Sequence, residues 1–134
     1  MILPFEFRHL EGRINVTRLE SGIDWLHIED PKVQNILVSV RVAAGSFDES
    51  RIGSRRFYDG IAHLTEHSVF LKMTPEQKSQ FSYTNAFTDD QQTQYLFTTT
   101  NNLGSSSLQL IASNLFNFST TPKIRDEVKA VESE

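Results

Sequence analysis

His63-Leu64-Thr65-Glu66-His67 sets two imidazoles and a carboxylate at spacings that chemistry can use. On a helix, residues four apart stand one turn above each other, so His63 and His67 are placed to grip one metal ion. Glu66 follows His63 by three residues and points near the same face, where a carboxylate can take a proton from a metal-bound water. Two neutral imidazoles beside a general base are the parts of a hydrolytic zinc site. The acid stands directly before the second histidine, the inverted order of the zinc motif. The competing reading is a surface helix whose histidines are solvated or hydrogen-bonded.

The element that must carry these groups is a helix over residues 60–71. Ile61, Leu64 and Leu71, with position 68 on the same row, follow the spacing of an amphipathic helix. Asp59 or Gly60 is expected to open it.

A zinc site needs a third protein ligand, and with no cysteine in the chain that ligand is a histidine or a carboxylate. His9 and His27 stand alone near the N-terminus. The better candidate is the acidic face of the last segment, residues 123–134. There Ile124, Val128 and Val131 have helical spacing and Pro122 stands at the start. Glu127 and Glu134 lie two turns apart on one face of that helix. Taken alone, the stretch reads equally as a charged, solvated helix face.

Three blocks in order resemble the pitrilysin/insulinase family of zinc metallopeptidases. They are residues 60–71 around the histidines, Asn85-Ala86-Phe87-Thr88 followed by residues 93–97, and residues 127–134. The resemblance implies His63, His67 and Glu134 as ligands of one zinc ion and Glu66 as the general base. It implies Glu127 as a carboxylate orienting a ligand histidine. Asn85, Ala86 and Phe87 would form a strand edge to which an extended peptide adds. Phe70 and Phe87 would line an apolar side-chain pocket, although ordinary core packing explains two phenylalanines as well. The implied activity is that of a zinc metalloendopeptidase acting on a peptide substrate. The alternative is a non-catalytic truncated homologue that binds a peptide or a subunit.

The chain departs from the family pattern in two places. Residues 72–84 stand where the family carries a Gly-Thr turn, a Tyr-Pro pair, a further helix and a glycine-rich approach to the strand. The sequence also stops at Glu134. The expectation is a single, C-terminally truncated N-terminal peptidase domain over residues 1–134, whose partner is a missing second homologous domain or subunit.

Composition bounds the rest. The 134 residues suffice for one modest core. The net charge of −4, with no basic run, argues against nucleic acid as a partner. Apolar runs are too short to span a membrane. No secretory signal opens the sequence, so a cytoplasmic location is expected. Strands are expected at 23–28, 36–43, 83–88 and 94–99, with a turn at residues 89–92, a polar loop at 45–57 and a helix near 103–118. The fold class is α+β, a two-layer sandwich of mostly antiparallel sheet with helices on one face.

Overall fold

Gly22, at φ 85°, closes a hairpin between β1 (Arg13–Arg18) and β2 (Asp24–Glu29). Only glycine takes that left-handed turn without cost. The computed structural model describes residues 13–52, 60–100, 104–117 and 124–131. It divides into two compact units, Met1–Gln34, which holds this hairpin, and Asn35–Glu134. In the hairpin, Ile14 pairs with Ile28 and Val16 with Leu26, so four apolar side chains share one face. An ion pair between Arg18 Nη1 and Asp24 Oδ1, at 3.4 Å, is too exposed to contribute much.

The second unit runs β3 (Asn35–Val42), α1 (Ser46–Ile52), α2 (Ile61–Leu71), α3 (Pro75–Lys78), β4 (Tyr83–Thr88), β5 (Thr93–Thr100), α4 (Ser105–Phe116) and α5 (Ile124–Val131). Its sheet is antiparallel in the order β3-β5-β4. Alternation sorts the side chains. Val38 and Val40 pair with Phe97 and Tyr95, and Tyr95 pairs in turn with Ala86. These residues face the helices and meet Val69, Met73, Phe81, Ile111 and Leu115 in the core. Phe97 and Val69 have 0% and 1% of their surface exposed, and burying each contributes about 1.5–3 kcal/mol. The odd-numbered residues of β3 and β4 point the other way, leaving Leu37 and Tyr83 exposed. The α+β class with helices on one sheet face is thus observed.

Two helices stand where none was expected. Residues 45–57 read as a polar loop, yet 46–52 form α1. Its first turn is held from outside: Ser46 N–H donates to the Asp89 carbonyl at 3.1 Å and Phe47 N–H to that of Asp90 at 2.9 Å. Gly45 permits this approach, since a Cβ there would strike the Asp89 carbonyl oxygen and the following peptide. The short α3 begins with a capping box. Thr74 Oγ1 accepts from Gln77 N–H, and the Gln77 side chain accepts from Thr74 N–H. Thr-Pro-Glu-Gln was a legible signal for it.

The turn between β4 and β5 is locked by Asp89. Its Oδ1 accepts from the N–H groups of Gln91 and Gln92, each at 2.8 Å, which holds its carboxyl below the usual range. Among the described residues, no helix is long and apolar enough to cross a membrane.

Candidate metal centre

The motif helix α2 starts at Gly60, which sits in the left-handed region at φ 86° and has no side chain to cap the helix. The first turn of any helix leaves N–H groups without partners. Here the carboxylate of Glu49, on α1, takes two of them: Oε2 accepts from Gly60 N–H and Oε1 from Ala62 N–H, both at 2.9 Å. A negative charge at this end also opposes the helix dipole. Glu49 is buried, so its charge is spent on the helix rather than on solvent. Further along, the hydroxyls of Thr65 and Ser68 donate to the carbonyls of Ile61 and Thr65, each at 2.7 Å, which lets polar residues sit inside the helix. The residues that enter the interior are Glu66, Ser68 and Val69. Ile61, Leu64 and Leu71 are half-buried, because α1 and α5 also pack along α2 and no single stripe carries all the burial.

On this helix the Nε2 atoms of His63 and His67 come within 3.1 Å of each other. Two nitrogens bound to one tetrahedral zinc lie about 3.3 Å apart, given bonds of roughly 2.0–2.1 Å, so the pair is spaced for a shared ion. Glu127, on α5, reaches the other side of His67, with Oε2 2.8 Å from Nδ1. A carboxylate can only accept, so the proton lies on Nδ1 and the Nε2 lone pair is left for a metal. One oxygen of Glu66 joins the two histidine nitrogens in a group whose atoms all lie within 4.8 Å of one another. The donor set therefore fits zinc. Glu134, the implied third ligand, lies outside the described residues.

Glu66 is 7% exposed and is held from the sheet. The Thr88 hydroxyl, at the end of β4, donates to its Oε2 at 2.8 Å. Tyr95 is buried behind it, and its phenol is pushed up to about 12 by that burial and by the charge of Glu66. It stays protonated while Glu66 is charged.

A cleft of about 360 Å³ opens beside these groups. Its walls include Glu66, His67, Glu127, Phe70, Asn85 and Ala86, joined by Leu71, Thr84 and Lys78. Three of the four residues expected on the substrate side thus lie at the cleft. Phe87 does not. It pairs with Gln94, falls on the opposite sheet face from Ala86 and is 43% exposed. Among the described strands β4 pairs with β5 alone, so its outer edge offers main-chain groups. Glu49, Thr88 and Lys78 were not singled out from the sequence. Thr88 stood within a block that was, but nothing local to a strand-end hydroxyl reveals its partner.

No protein-family model matches the chain. In sequence it is similar to a Bacillus subtilis (strain 168) protein named as zinc protease YmfH and described as uncharacterized. The two are 29% identical over 112 residues, which is 77% of this chain and 26% of that protein. A second protein of that strain, provisionally named zinc protease AlbF, is 26% identical over 132 residues, 93% of this chain and 31% of that protein. The fold is similar to the crystal structure of an Alicyclobacillus acidocaldarius protein provisionally described as an M16-like peptidase. The TM-score is 0.72 at 21% identity, covering 92% of this chain and 30% of that one. The chain therefore spans between 26% and 31% of the length of these relatives. The resemblance read from the motifs, and the fold class with it, are borne out.

Proposed function

We propose that this chain, recognised by motif and fold as the pitrilysin/insulinase type, carries the zinc site and substrate strand of a metalloendopeptidase. The observation that carries the reading is that His63, Glu66 and His67 bring their ligand atoms together, and that Glu66 and His67 share one cleft with the β4 edge. His63 and His67 hold the metal through Nε2, Glu127 orients His67, and Glu134 is the third ligand. A zinc ion there supplies a Lewis acid that polarises a peptide carbonyl and acidifies water. Glu66 takes the proton of the attacking water and delivers it to the leaving amine. An extended peptide lies along Asn85 and Ala86 by main-chain pairing, with Phe70 against one of its side chains. The remaining binding groups come from a second homologous domain or subunit.

Elemental analysis tests this. One zinc per chain, lost in His63→Ala, is expected; a folded preparation without stoichiometric zinc after metal loading would sink the reading. That result would favour the alternative, a non-catalytic module binding a peptide or subunit through the edge of β4, which requires no metal.

A further inference from the structure

A carboxylate within 4.8 Å of two zinc-spaced imidazole nitrogens faces a choice of roles. Zinc accepts carboxylate oxygen readily, and two histidines with one glutamate already make a full set of three protein ligands. If Glu66 turned onto the metal it would take the place meant for Glu134 or for water, and the site would hold no base. Something must keep that side chain off the ion.

We infer that Thr88 is the positioning residue that does so, holding Glu66 out of the ligand set and leaving it to act as base. This rests on the zinc site proposed above. The Thr88 hydroxyl donates to Glu66 Oε2 at 2.8 Å. It has one proton to give, and its neighbours direct where that proton goes. Across the strand pair, Thr93 Oγ1 lies 3.4 Å from Thr88 Oγ1, while the Thr93 hydroxyl donates to the Ala44 carbonyl at 2.9 Å. With its own proton committed, Thr93 is left as an acceptor at longer range, so the shorter bond to Glu66 takes the Thr88 proton. Thr93 is 5% exposed and Glu66 7%, so water competes little for either. The hydroxyl is carried by the sheet and the carboxylate by α2. Glu66 is therefore held from an element other than the one that carries the histidines.

Zinc affinity separates this role from a merely structural one, because the two predict opposite signs. Parent, Thr88→Val, Thr88→Ala and Thr88→Ser are titrated with zinc against a competing chelator, and their cobalt-loaded forms are compared by visible absorption. Freed of its tether, Glu66 becomes a ligand. Thr88→Val and Thr88→Ala should bind zinc more tightly than the parent and show an altered cobalt spectrum, because one more carboxylate oxygen enters the ligand set. Thr88→Ser should match the parent in both. Adding Glu66→Gln to Thr88→Val should abolish the gain. Affinity equal to or weaker than the parent's in both Val and Ala variants, with an unchanged cobalt spectrum, would overturn the inference while leaving the zinc site standing. A parent that takes up no metal would overturn both.

Discussion

Glu127 Oε2 stands 2.8 Å from His67 Nδ1, and the two residues belong to helices sixty positions apart in the chain. The contact does for His67 what no residue on its own helix does: it fixes which ring nitrogen carries the proton. Removing that carboxylate should let the ring turn and change tautomer. Glu127→Ala is expected to weaken zinc binding about 10–100-fold, measured by chelator competition. Unchanged affinity would show that α5 merely lies beside the site.

Glu66→Gln keeps the side chain's shape and removes its basicity. The variant should retain zinc at the parent's stoichiometry. Peptide cleavage, measured in a preparation in which the parent is active, should fall by at least about 10²-fold. Cleavage at the parent's rate would remove Glu66 from the chemistry.

Glu49 accepts from two N–H groups at the start of α2 while itself buried. Glu49→Ala strands those donors and removes the charge facing the helix dipole. A loss of about 1–2 kcal/mol is expected from urea unfolding. A smaller loss would mean that solvent replaces the carboxylate.

Gly45 lies against the backbone of the β4–β5 turn with no room for a methyl group. Backbone cannot swing aside as a flexible side chain would. Gly45→Ala should therefore cost about 1–3 kcal/mol, read as a lowered urea midpoint. A midpoint equal to the parent's would show that α1 can shift freely.

Tyr95 gives a pH test. Its folded-state pKa, raised to about 12 first by burial and then by the charge of Glu66, lies above the unfolded value near 10. Between those two values the folded chain binds the extra proton, so stability falls as pH rises through that window and is unaffected below it. The slope should be roughly 1 kcal/mol per pH unit, absent in Tyr95→Phe. Urea unfolding near pH 9 and near pH 11 checks it.

Much of the architecture was legible because it rests on local periodicity. The strand over 83–88 and the helix at 61–71 follow from alternation and helical spacing. What escaped is non-local. Helix α1 owes its first turn to Asp89 and Asp90, so residues 45–57 in isolation look like a loop. Gly60, one of the two positions expected to open α2, does open it, but the carboxylate that caps its N–H groups comes from Glu49 on another helix. Phe87 was expected beside Phe70 in an apolar pocket, yet the pleat turns its side chain to the sheet face opposite Ala86 and the helices. Thr88 could be recognised only once the strand register was known.

That register has a reach beyond the sheet. Asp89 pins the turn that fixes which residues of β4 look toward α2. A slip of one position would rotate every β4 side chain to the other face, putting the phenyl ring of Phe87 where Thr88 now stands. The ribbon would still be a ribbon, and α2 would still display both histidines. Glu66 would then meet an aromatic ring instead of a hydroxyl. A single turn, one residue beyond Thr88, is thus the gauge by which the site is kept in alignment.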